Sequence, residues 1–376
     1  MRKPRGLLIA CLLAVVATAA CARADSDGTT VDSRAGKIVV ETLAKGLDHP
    51  WGMAFLPDGR LLVTERAGRL RILGRDNKLS PPLAGVPEVY ASGQGGLLDV
   101  ALDPDFATNH VIFLSFAEPG GEGASTALAR ATLGEGRLDN VATIFRQEPK
   151  VPGGNHFGGR IVFSPQGQLF LTTGERFQFA PAQDLSTTLG KVLRLNRDGT
   201  IPADNPFVGR PNAKAAIWSY GHRNVQGAAI EPSTGALWTI EFGPQGGDEL
   251  NRPEPGKNYG WPLVSWGNHY DGRDIPDPPT RPDLTDAVKY WNPVISPSGM
   301  IFYTGAKFPQ WKNNLLVACL SGQALTRLKI ENGKVVEEER IALGERIRDV
   351  EQAPDGSLYV VTDDSDGAIW RLRPKG

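Results

Sequence analysis

The chain has 376 residues, 40% hydrophobic and 22% charged, with a formal net charge of −1. That is an ordinary globular composition with enough apolar material for a sizeable core. The near-even charge balance implies no basic face for nucleic acid. The three cysteines show no CxxC spacing, so neither a zinc site nor a redox pair is indicated.

In chain order, the first element is a targeting segment. Arg2, Lys3 and Arg5 precede the small, apolar run of residues 7–20. A basic start followed by such a run predicts a secretory signal over residues 1–24. The run is short for a membrane span, which needs roughly 20 residues. Two processing sites compete: Ala22-Arg23-Ala24 suits an A-x-A cleavage, and Thr18-Ala19-Ala20-Cys21 resembles a bacterial lipobox with cleavage before Cys21. The expected location is therefore the periplasm, or the cell envelope with a lipid anchor on Cys21. Residues 25–36 read as a flexible tether, and residues 37–376 as a single domain. Cys319, in the apolar run NLLVACL, reads as a buried core thiol.

From Trp51 onward one pattern recurs: an apolar β-rich run, a turn containing Pro or Gly, and a second β-rich run. The copies begin at Trp51, Leu97, Gly159, Gln226, Gly299 and Arg348. Each reads as a strand–turn–strand unit. Six hairpins that cannot bury themselves alone predict an all-β fold, a six-bladed β-propeller with long inserted loops on one face; a β-sandwich or β-solenoid is the competing reading. The interval 245–297 is the longest without the repeat and reads as a functional loop system. The EEER run at 337–340 reads as a solvated turn.

Candidate functional residues lie where the chain enters the copies. Gln94 precedes the second; Asn155 and His156, in GGNHFGGR, precede the third. Arg223, Asn224 and Gln226, in YGHRNVQG, precede the fourth; Arg346 and Arg348 precede the sixth. A shared offset places them at one end of the barrel. Three arginines near one axis repel each other unless an anion is present, and guanidinium groups bind carboxylate or phosphate bidentately. After the fourth copy, EFGPQGGDEL and GKNYGWP offer exposed carbonyls and carboxylates, oxygen donors that suit Ca²⁺.

In order along the chain, GQGGLLD, GGNHFGGR, YGHRNVQG, EFGPQGGDELN, GKNYGWP and RIRDV resemble the motif series of the soluble aldose sugar dehydrogenases. That family uses pyrroloquinoline quinone (PQQ) and Ca²⁺ on a six-bladed propeller. The resemblance implies oxidation of an aldose to its lactone, with His156 as general base and electrons passing to a separate acceptor. It implies cofactor contacts at Gln94, Asn155, Arg223, Asn224, Tyr270, Arg346 and Arg348. It also implies carbonyl ligands for the cofactor Ca²⁺ at Gly243 and Pro244, and a second, structural Ca²⁺ at Glu249 and Tyr259. Asn155 stands where some relatives carry an acidic residue that orients the base, which implies weaker support for His156 here. Ser321 stands where well-characterised members place a cofactor-contacting Lys. That departure keeps a non-catalytic propeller binding carbohydrate or protein in play. A Ca²⁺-dependent lactonase on the same architecture is the other alternative, disfavoured by the Arg-rich axis.

Overall fold

The computed structural model describes residues 28–376, so the signal segment, Cys21 and residues 25–27 of the expected tether lie outside the described residues. Six antiparallel sheets radiate from one axis. Their innermost strands, in chain order, are Pro50–Phe55, Leu97–Leu102, Gly158–Phe163, Val225–Ile230, Pro297–Phe302 and Ile347–Gln352. They coincide with the six copies read from the sequence, so the structure is a β-propeller and not a sandwich or solenoid. Each blade continues outward through hairpins, and the first has three strands where the next four have four.

Strand alternation explains how the blades hold together. Side chains on opposite faces of one strand meet different neighbours. Val63 and Leu61 pack toward Val361 and Ile369 of the last blade, while Leu62 and Leu70 pack toward Ile112 and Leu114 of the second. Equivalent apolar layers fill the other four gaps between adjacent blades. Because both faces are buried, the strands read as nearly continuous apolar runs such as LLVAC, in which Cys319 is fully buried and unpaired. Burial pushes its thiol up to about 12.

The ring closes through the start of the domain. Gly36–Leu47 pairs with Gly367–Pro374, so the last blade joins both ends of the described chain. One expectation is corrected here: part of the expected tether is structured. Thr29–Ser33 pairs with the first residues of Gly36–Leu47, and Val31 packs against the core between the fifth and sixth blades. A polar composition concealed a short hairpin. The EEER run is likewise no turn. It lies in the outer strand Lys334–Ala342, where Arg327 pairs with Glu337 and Glu339 across the ladder.

All six inner strands carry a β-bulge near their first residues. Bulges re-aim the chain at barrel rims. Here they mark the end of the barrel where His156, Arg223 and Arg348 lie. The long interval 245–297 supplies the outer strands Asp248–Asn251 and Lys289–Trp291 of the fourth blade, and between them an inserted segment that carries Tyr270.

Candidate active site

His156 sits two residues before its inner strand, with φ at 54°, a left-handed conformation uncommon for a non-glycine residue. The chain passes so close that a Cβ at Gly174 would meet the His156 carbonyl oxygen at 1.9 Å. Glycine is required there by contact. Gln94 Oε1 accepts a hydrogen bond from the His156 amide at 2.9 Å.

The imidazole is buried, and its Nδ1 lies 2.6 Å from Glu175 Oε1. Glu175 Oε2 accepts from the Phe179 amide at 2.8 Å. Both carboxylate oxygens are thus committed, which fixes the carboxylate and the ring it holds. With Nδ1–H donating to Glu175, Nε2 is the unprotonated nitrogen, and it has no protein partner among the described residues. Burial pushes the His156 pKa down against the pull of Glu175, with nearby Arg223 and Arg176 lowering it further. The ring is therefore neutral near pH 7 and able to take a proton.

Glu175 corrects the expectation of a weakly supported base, which looked only at the neighbouring position. Asn155 is exposed, and it is its backbone oxygen that accepts from Arg176 Nη1. A sequence signal for Glu175 existed. His222 and Glu241, in the next blade, repeat the same 19-residue separation and the same Nδ1–carboxylate contact, at 2.9 Å. In that copy Nε2 meets Ser219 Oγ at 2.9 Å and the ring is fully buried. The pair is built twice, once closed and once with a free nitrogen.

Arg346 and Arg348 are brought together, while Arg223 lies with Gly243 and Tyr270. Arg346 and Arg348 both pair with Asp363, at 2.9 and 3.1 Å. Burial alone would raise the Asp363 pKa, but the two guanidinium groups hold it down to about 2. Part of the anion inferred for this cluster is therefore a protein carboxylate that the sequence reading missed. Arg348 Nη1 donates to Gln226 Oε1, whose amide in turn donates to Asn224 Oδ1. Arg223 Nη1 donates to the Gly243 carbonyl at 2.7 Å, and its Nη2 to the Tyr270 hydroxyl at 3.3 Å. Tyr270 is 64% exposed and stacks on Phe177, whose ring stands edge-on to His156. Ser321 lies at the same end of its blade, bonded to Ser296 Oγ at 2.7 Å, and brings no cation.

Arg223 Nε, Asn224 Nδ2 and Arg348 Nε are among the buried donors of this layer that lack acceptors. Unmet buried donors are costly, and an acceptor-rich anionic ligand would satisfy them. The two expected Ca²⁺ positions differ. The Gly243 carbonyl already accepts from Arg223, so a cation shared by Gly243 and Pro244 requires that guanidinium to turn away. Beside Glu249 the balance is reversed. Glu241 and Glu249 both reach Asn251 Nδ2, Asn251 Oδ1 has no partner, and burial together with Glu241 pushes the Glu249 pKa well up. Two neighbouring carboxylates and an orphaned amide oxygen suit a hard cation, and Glu241, Glu249 and Tyr259 line a small cavity there together with Arg223. Among the described residues no group of three or more His, Cys, Asp or Glu side chains is arranged for a metal.

Known proteins resemble this chain over most of its length. The family model described as glucose/sorbosone dehydrogenase matches residues 47–371. The aldose sugar dehydrogenase YliI of Escherichia coli strain K12 is 47% identical over 344 residues, covering 89% of this chain and 93% of its own. The crystal structure of the soluble aldose sugar dehydrogenase from Escherichia coli in the apo-form superposes with a TM-score of 0.86 at 45% identity, covering 90% of this chain and all of that one. The PQQ-bound aldose sugar dehydrogenase of Streptomyces coelicolor gives 0.74 at 31% identity, covering 89% and 98%.

Proposed function

The chain belongs to the glucose/sorbosone dehydrogenase family, and from that premise we propose that it oxidises an aldose to its lactone, with PQQ as cofactor and His156 as the base. The observation that carries this reading is the His156–Glu175 pair, with a neutral ring and a free Nε2 beside three donors that lack acceptors. Arg223, Asn224 and Arg348 would hold the cofactor's carboxylates and carbonyl oxygens, with Gln94, Arg346 and Tyr270 at the rim. Bound PQQ would supply a two-electron acceptor for the hydrogen on the sugar's reacting carbon.

The protein's own part is proton transfer and positioning. His156 Nε2 takes the proton of the reacting hydroxyl. The imidazolium that forms is stabilised by Glu175 across the 2.6 Å contact, which also keeps the ring from rotating. Phe177 and Tyr270 wall the site beside the base and offer an apolar face to a sugar ring. Ca²⁺ is proposed at the Glu241–Glu249 pocket, where its charge would offset the paired carboxylates; the chemistry above uses none at Gly243. Ser321 in place of a Lys leaves cofactor binding to the arginines and amides. Export, with or without a lipid anchor on Cys21, is proposed from the sequence of residues 1–24. A separate electron acceptor is proposed because the chain has no haem-attachment motif.

The test is to titrate the purified protein with PQQ in the presence of CaCl₂ and follow cofactor absorbance while aldoses are added. The expected result is stoichiometric binding and sugar-dependent reduction, with reduction but not binding lost in His156→Ala. Absence of PQQ binding at tens of micromolar would overturn the reading in favour of a non-catalytic propeller.

A further inference from the structure

At the opposite end of the axis from His156 lies a cavity of about 480 Å³ that the proposed reaction does not use. The register of the six inner strands identifies its lining. Ala54, Ala101, Val162, Ala229, Ile301 and Glu351 are equivalent positions, each one residue before its strand's last, and all six line the cavity. Five are small or aliphatic. The sixth is a carboxylate, and among the described residues it has no ion-pair partner.

Two residues earlier in the same strands, the equivalent positions are Gly52, Asp99, Arg160, Gly227, Gly299 and Asp349. Asp99, Arg160 and Asp349 line the cavity and form its polar floor, and Gly52 and Gly299 leave them room. Arg160 Nη1 lies 3.0 Å from Asp99 Oδ1 and 3.1 Å from Asp349 Oδ1. Its Nε donates to the Gln226 carbonyl, and the guanidinium stacks over Trp51. A Cβ at Gly299 would fall 1.7 Å from Asp349 Oδ1, so the glycine gives the carboxylate its space. Arg160 is 5% exposed and lines the cavity, yet its Nη2 has no acceptor.

We propose that this cavity is a second ligand site, for a small neutral polyol or sugar, with a hydroxyl accepting from Arg160 Nη2 and donating to Glu351. A hydroxyl does both at once, and the aliphatic ring would cover the carbon skeleton. A metal cation or an amine leaves Nη2 unmet, and an anion gains no net attraction from one guanidinium set among three carboxyl groups. Charge supports the choice of a neutral ligand. Burial pushes Asp349 up to about 7, and burial with its acidic neighbours pushes Glu351 well above the usual carboxylate range. At neutral pH the floor therefore retains protons and carries little net charge. The site is independent of PQQ, and the inference stands whether or not the proposed reaction does.

The test uses cofactor-free protein and D-sorbitol, a polyol with no anomeric carbon to oxidise, observed by saturation-transfer NMR and calorimetry. Expected is saturable millimolar binding, kept in His156→Ala and weakened about tenfold or more in Glu351→Leu, the loss typical of a hydrogen bond to an ionisable group. Ala101→Leu, which narrows the ring without touching a polar group, should weaken it as well. Binding lost in His156→Ala and kept in Glu351→Leu would place sorbitol at the reaction site and overturn the proposal. So would the absence of saturation in the wild type.

Discussion

Replacing Glu175 by Gln tests the reading of the base most directly. In the native pair both carboxylate oxygens are used, one on His156 Nδ1 at 2.6 Å and one on the Phe179 amide at 2.8 Å. A carboxamide has one oxygen and one NH₂, so it cannot offer a separate acceptor oxygen to each of the two donors. Either the Phe179 amide loses its acceptor, or the NH₂ faces Nδ1 and reverses the tautomer. In both cases the imidazolium loses a charged partner. A hydrogen bond to a charged group contributes about 1.5–3 kcal/mol, which corresponds to a fall of roughly 10- to 150-fold in kcat/KM. Glu175 also raises the His156 pKa against burial. Removing it lowers that pKa further, so the acid limb of the kcat/KM profile moves to lower pH while the plateau falls. The assay is steady-state oxidation of an aldose by PQQ-loaded enzyme across pH 4–9. A lowered plateau with an unmoved acid limb would mean that Glu175 only packs. An unchanged plateau would refute the base assignment.

Other expectations are open to measurement. Asp363, held near 2 by Arg348 and Arg346 where a free carboxyl titrates at 3.8, stabilises the fold by about 2 kcal/mol. Its folded pKa lies below the unfolded one, so this stabilisation is complete above about pH 4 and lost as pH falls toward 2; Asp363→Asn should flatten that part of the acid-unfolding curve. Gly174→Ala would push its new Cβ against the His156 carbonyl. A displaced base costs on the order of 100-fold in rate, so kcat should fall while the melting curve keeps its single transition. Glu249→Gln removes one of two neighbouring carboxylates. In EDTA it should raise Tm by relieving their repulsion, and in CaCl₂ it should lose the Ca²⁺-dependent rise of the wild type. Equal Tm shifts in both buffers would rule out a cation there.

The architecture was legible in the sequence because each blade repeats a local signal. A β-rich run, a turn and a second β-rich run occur six times, as in WGMAFLPDGRLLVTE and RDVEQAPDGSLYVVTDD, and such hairpins must pair and stack to bury their apolar faces. His156, Arg223 and Arg348 were legible for a related reason: they stand at a common offset from those runs, and equivalent offsets in a closed ring meet at one end. Composition misled at Thr29–Ser33 and at EEER, where polar side chains belong to outer strands whose exposed faces tolerate them.

Only the closed ring decided what those residues touch. Glu175 reaches His156 because two strands of one hairpin return to the same rim, a contact set by β-register and not by adjacency in sequence. Asp363 neutralises Arg346 and Arg348 for the same reason, across the hairpin of the last blade. Glu351 is one charged residue in a charged-looking stretch, DVEQ, until the inner strands place it level with three alanines, a valine and an isoleucine around an axial cavity. The sequence by itself determined the repeat, the blades and which end of the barrel holds His156, Arg223 and Arg348, because these follow from periodicity. The partner of each buried polar group depends on distances between residues far apart in the chain, and only packing about a common axis sets those distances.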